Sequence, residues 1–130
     1  MNIIKTTSEL SQFCDYAYNF DYITVDTEFL RERTYYPKLC LIQLAIPGDQ
    51  ENSAVLIDPL ERNLDLSPLY KVFLDPDIVK VFHAARQDLE IFFHDKNIIP
   101  SPLFDTQIAA MVCGFGEQVG YETLVRSICK

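Results

Sequence analysis

A chain of 130 residues and 15.0 kDa has room for one domain, and 48% hydrophobic residues, with nine Phe and seven Tyr, can fill a real core. Eleven Lys+Arg against nineteen Asp+Glu leave a net charge of −8 and a pI near 4.6. That balance excludes a module that grips nucleic acid or membrane by bulk positive charge, but not an acidic site neutralised by bound metal. No apolar run reaches the ~18 residues of a membrane span; the longest, Leu39 to Ile46, is interrupted by Gln43. The N-terminus lacks the basic-then-apolar pattern of a signal peptide. Cys14, Cys40, Cys113 and Cys129 have no C-x-x-C spacing and are expected to be buried or half-buried reduced thiols. These features predict a soluble, cytoplasmic protein with no membrane partner.

Thr6-Thr7-Ser8-Glu9 has the form of a capping box, and Leu10, Phe13, Cys14 and Ala17 follow at helical spacing. Tyr22 to Phe29 reads as a strand with Ile23, Val25 and Phe29 on one face and Thr24, Asp26 and Glu28 on the other. The loop Arg31 to Lys38 leads to a second strand, Leu39 to Ile46. A turn at Pro47 to Asn52 then allows a hairpin with a third strand, Ala54 to Ile57. Ser67-Pro68 opens a short helix ending near Leu74. Ile78 to Phe82 is a compact apolar strand, and a helix is predicted from about Ala84 to Lys96. A short strand at Leu103-Phe104 precedes a helix from Asp105 to about Gly114, and a last helix carries Tyr121, Leu124, Val125 and Ile128. A meander followed by strand–helix units predicts an α/β fold with a mixed five-stranded sheet and flanking helices.

Three carboxylates draw attention. Asp26 and Glu28, two apart on a strand, share a face with Cβ atoms about 6–7 Å apart, so that one divalent ion fits between them; a solvated strand face would carry the same pair. Asp88 is more informative, because its helical neighbours Ala84, Ala85, Ile91 and Phe92 are all apolar. A carboxylate in an apolar stripe is costly unless something pairs with it. The helix dipole favours a negative charge there. Asp105 reads as an N-cap, Asp58 as a turn residue, His83 as a packed, hydrogen-bonded side chain and His94 as a surface residue. The loop holding Arg31, Arg33, Tyr35, Tyr36 and Lys38 interleaves cations with aromatics, the mix that holds phosphates and stacks bases of single strands; an ordinary exposed loop is the other reading. Phosphate-binding glycine loops, a nucleophile elbow and H-E-x-x-H are all missing, which leaves a carboxylate site for a hard cation, Mg²⁺ or Mn²⁺.

Val25-Asp26-Thr27-Glu28-Phe29, Arg33 to Leu39, Leu41-Ile42-Gln43-Leu44 and Leu56 to Leu60 together resemble the ribonuclease D family. So do His83-Ala84 with Asp88-Leu89-Glu90, and Asp105-Thr106-Gln107 with Cys113-Gly114. The resemblance runs in order along nearly the whole chain. It implies a ribonuclease-H-like 3′-5′ exonuclease fold of the DEDD type, tyrosine subfamily, acting on RNA with a free 3′ end, as in transfer-RNA maturation. Asp26 and Glu28 would form the first acidic motif and Asp88 the second, serving as catalytic residues and as ligands of two divalent ions, Mg²⁺ or Mn²⁺. The family's third motif, Tyr-x-x-x-Asp, has no match after Asp88. Residues 1–130 are therefore expected to be a C-terminally incomplete exonuclease domain, without the helical RNA-binding domains and weakly active or inactive alone. The alternative is a non-catalytic metal- or RNA-binding module, or one half of an assembly completed by self-association or by a C-terminal complementing segment.

Overall fold

The structure, a computed structural model, describes residues 2–31, 33 and 35–129. Glu32 and Thr34, inside the predicted basic–aromatic loop, lie outside the described residues. In chain order the elements are β1 (Asn2–Ile4), α1 (Thr7–Ala17), β2 (Tyr22–Leu30), β3 (Lys38–Ala45), β4 (Ala54–Ile57), α2 (Ser67–Leu74), β5 (Val79–Phe82), α3 (Arg86–Lys96), β6 (Leu103–Asp105), α4 (Thr106–Val112) and α5 (Tyr121–Ile128).

Among the described residues the sheet has six strands in the order β1-β4-β3-β2-β5-β6, a correction to the five expected. The sixth is Asn2–Ile4, parallel to β4; with three residues and only Ile4 buried, it has no alternation to reveal it. The meander β2–β3–β4 is antiparallel, and β5 and β6 continue it in parallel from β2. The pairing of β2 with β3 shifts between Glu28 and Phe29, where Cys40 is the extra residue, so that Leu39 and Ile42 are both buried although three apart.

One sheet face carries the core. Ile23 and Val25 of β2, Ile42 and Leu44 of β3 and Val55 and Ile57 of β4 join Leu10 and Cys14 of α1, Val72 and Phe73 of α2, and Ile91 and Phe92 of α3 in a single buried cluster. The capping box of α1 forms both of its bonds, between Thr6 and Glu9. Inside β5, Lys80 is fully buried; its Nζ donates to the carbonyls of Asp75 (2.6 Å) and Ser101 (2.8 Å), tying together the turns that precede β5 and β6. Burial pushes this amine down to about 8.

Two local expectations are corrected. The third helix begins at Arg86, not Ala84, because Ala84 has φ +59° and cannot be a helical residue. Only Cys14 and Cys40 are buried or half-buried; Cys113 and Cys129 are exposed thiols near the ends of α4 and α5. No helix of the described residues is long and apolar enough to cross a membrane.

Candidate functional site

β2 is the origin of the site. Its alternation puts Ile23, Val25 and Thr27 into the core and leaves Asp26 and Glu28 exposed on the opposite face. Neither carboxylate has a hydrogen bond or an ion-pair partner among the described residues, where the two salt bridges are Arg86–Glu90 and Arg126–Glu122. Two such oxygen-donor side chains with no competing cation fit a hard divalent ion in donor type and charge.

Asp88 lies in the first turn of α3, 7% exposed, with Ala85, Ile91 and Phe92 buried as the helical spacing predicted, whereas Ala84 is exposed and lies outside the helix. It does not sit in one cluster with Asp26 and Glu28; among the described residues no group of three possible metal ligands is assembled. Instead the hydroxyl of Thr27, on the core face of β2, donates a hydrogen bond to Asp88 Oδ1. Burial pushes Asp88 up to about 6; the Thr27 hydroxyl pulls it back, and the negative charge of Asp26 pushes it up again. Asp26 and Asp88 thus interact through charge, although the strand places them on different sides.

The next strand–helix unit is scaffold, as expected. Asp105 caps α4, accepting from Gln107 N (2.8 Å), and also reaches back to Ala84 N (3.0 Å) and Ala85 N (2.8 Å). Burial pushes Asp105 up, but the N–H groups of Ala85, Ala84, Gln107 and Ile108 outweigh it and hold the carboxyl below the usual range. His83 is bonded on both nitrogens, Nδ1 to Thr106 Oγ1 (2.8 Å) and Nε2 to the carbonyl of Val119 (2.9 Å). Since that carbonyl only accepts, Nε2 carries a proton. Asp58 accepts from Leu60 N (3.0 Å), closing a turn.

Of the basic–aromatic loop, Arg31, Arg33, Tyr35, Tyr36 and Lys38 are exposed, with Tyr35 at 87%. The ring of Tyr36 stacks on His94 of α3, centroids 3.6 Å apart and planes within 11°, and Tyr35 meets Tyr36 edge-on at 5.0 Å. His94 is thus more than a bland surface residue. It helps line a groove of about 490 Å³ with Tyr36, Lys38, Tyr70 and Lys96. Sequence reading missed both Thr27 and this stack. A signal for Thr27 existed: a hydroxyl where the alternation asks for an aliphatic side chain.

Comparison with known proteins agrees with this layout. The family model described as 3′-5′ exonuclease matches residues 1–130. The chain is 64% identical over 127 residues to a ribonuclease D of Jannaschia sp. (strain CCS1), covering 98% of this chain and 33% of that relative. The crystal structure of Escherichia coli RNase D, described as an exoribonuclease involved in structured RNA processing, superposes with a TM-score of 0.86 at 42% identity, covering 98% of this chain and 33% of that one. Brucella melitensis NrnC, solved with bound Mg²⁺, shares the fold at 23% identity and a TM-score of 0.72, with 98% and 59% coverage. The chain spans about a third of the length of the curated relatives it matches.

Proposed function

The chain belongs to the 3′-5′ exonuclease family, and from that premise we propose that it carries the first two acidic motifs of a metal-dependent 3′-5′ exoribonuclease of the ribonuclease D type. The observation that carries this reading is the Asp26–Glu28 pair, exposed without a cation on β2 and within electrostatic reach of the buried Asp88. These three side chains would hold Mg²⁺ or Mn²⁺; when bound, the metal supplies charge stabilisation at the scissile phosphate and lowers the pKa of water. Mg²⁺ in the NrnC structure and the RNA-processing role of Escherichia coli RNase D support the cofactor class and an RNA substrate with a free 3′ end.

Arg31, Arg33 and Lys38 contribute phosphate contacts in this reading, and Tyr35 and Tyr36 stack on bases, with His94 backing Tyr36. Replacing Arg31 and Arg33 with Ala should flatten the salt dependence of RNA binding by about two phosphate contacts, and Tyr35→Ala or Tyr36→Ala should cost about 1–3 kcal/mol of affinity. Four free thiols, two of them exposed, suit the reducing cytoplasm. The exposed apolar side chains of α4, Ile108, Met111 and Val112, suit cover by a complementing segment or a second copy.

The uncollected ligand set favours a second reading, a metal- and RNA-binding module without turnover. One experiment separates the two. Mn²⁺ binding by calorimetry is expected in the millimolar range, about 4 kcal/mol, and Asp26→Asn should abolish it. Slow Asp26-dependent trimming of 5′-labelled RNA from its 3′ end supports the enzyme, and binding without trimming supports the module. Equal Mn²⁺ affinity in Asp26→Asn and the parent would overturn the site itself.

A further inference from the structure

We propose that Thr27 is a positioning residue for the carboxylate centre: its hydroxyl pins one oxygen of Asp88 and thereby sets how the other is presented to a divalent cation. The inference rests on the exoribonuclease reading and extends it to a side chain between the two exposed acids.

Thr27 is 6% exposed and follows Ile23 and Val25 on the core face of β2, where valine would fill the same space without a hydroxyl to satisfy. That hydroxyl donates to Asp88 Oδ1, its partner across 61 residues of chain. The bond occupies one oxygen and fixes the rotation of the carboxyl group about its Cβ–Cγ bond. No buried side-chain oxygen among the described residues lacks a partner, so Asp88 Oδ2 is either bonded or open to solvent rather than sealed in apolar surroundings. Because Thr27 lies between Asp26 and Glu28 in the strand, any shift of the exposed pair moves the donor that holds Asp88. Asp26 and Glu28 flank Thr27 on β2, and the Thr27 hydroxyl bonds Asp88 of α3, so one hydrogen bond joins the strand of the exposed pair to the third acid, although the three do not meet in a cluster.

Outer hydrogen-bond partners of metal-binding carboxylates typically carry 10–100-fold of affinity. Mn²⁺ titration calorimetry of the 130-residue chain tests the idea, with folding of each variant followed by circular dichroism. Thr27→Val should weaken Mn²⁺ binding about tenfold, and Thr27→Ser should restore it. In an Asp88→Ala background, Thr27→Val should change the affinity no further. A purely structural role would lower the melting temperature in both backgrounds and leave the affinity of the folded protein alone. Parent-like affinity in Thr27→Val, with Asp26→Asn inactive in binding, overturns this inference and spares the site. No Mn²⁺ uptake by the parent, or none lost in Asp26→Asn, overturns both.

Discussion

Asp88 and Asp105 are carboxylates at the starts of helices in successive strand–helix units, yet their surroundings differ in kind. Asp105 accepts from three backbone N–H groups and is held below the usual carboxylate range. Asp88 is more deeply buried, accepts from the Thr27 hydroxyl, and is pushed up by burial to about 6. Backbone donors outweigh burial at Asp105, whereas at Asp88 burial outweighs the hydrogen bonds, which makes its ionised form costly to the fold. The two are also connected. Asp105 holds Ala84 and Ala85, and Ala84 makes the left-handed turn after which α3 starts and brings Asp88 beneath Thr27.

The largest effect is expected on the scaffold side. Asp105→Ala strips three backbone donors of their acceptor and leaves the Ala84 turn unsupported, which should cost about 3 kcal/mol in urea unfolding. Mn²⁺ affinity of the folded protein should not change. A loss of metal binding at full stability would show that Asp105 belongs with the site and would erase the distinction.

Asp88→Asn should act in the opposite direction. The folded-state pKa of Asp88, about 6, lies above its ordinary value of 3.8, so the folded protein holds that proton more tightly than the unfolded chain. Its stabilising contribution is complete below 3.8 and is lost as pH rises through about 6. In EDTA the Asn variant should therefore match the parent near pH 4 and exceed it by about 1–2 kcal/mol at pH 8, while losing Mn²⁺ affinity. A variant less stable than the parent at pH 8 would mean that the ionised carboxylate is well satisfied after all.

Two threonines sharpen the contrast further. Thr106 Oγ1 lies within hydrogen-bond distance of both His83 Nδ1 and the Phe82 carbonyl, on the scaffold side, as Thr27 bonds Asp88 on the site side. Thr106→Val should cost about 1 kcal/mol of stability, the value of an ordinary hydrogen bond, with metal binding intact. Metal affinity that falls as it does in Thr27→Val would place both hydroxyls in one network.

The division between these regions was partly legible in the sequence. Alternation in Tyr22–Leu30 placed Asp26 and Glu28 together, helical spacing exposed Asp88 as an acid among apolar neighbours, and Asp105 before Thr106-Gln107 read as a cap. Each is a local signal, carried by residues a few positions apart. What stayed hidden is non-local. Periodicity says which face a side chain takes, not which residue opposes it, so neither the Thr27–Asp88 bond nor the Tyr36–His94 stack could be read. The Asn2–Ile4 strand exists because β4 offers it an edge, and Ala84 adopts a positive φ because Asp105, 21 residues later, holds its N–H.

That last residue provides the smallest and most discriminating test. An L-residue in the left-handed region costs about 1–2 kcal/mol, which Gly would relieve. Against this, Gly gives the unfolded chain more freedom to lose, about 0.4–1 kcal/mol. Ala84 is exposed, so its methyl group contributes little packing, and the two Asp105 bonds in the turn run to backbone N–H groups that the substitution keeps. Relief should slightly exceed entropy, and Ala84→Gly is expected to stabilise the protein by about 0.5 kcal/mol with unchanged Mn²⁺ affinity. A destabilised variant with normal metal binding would mean that the turn bears no strain for Asp105 to offset. A stabilised variant with weakened metal binding would mean that the stiffness of this turn, beyond its direction, keeps Asp88 against Thr27.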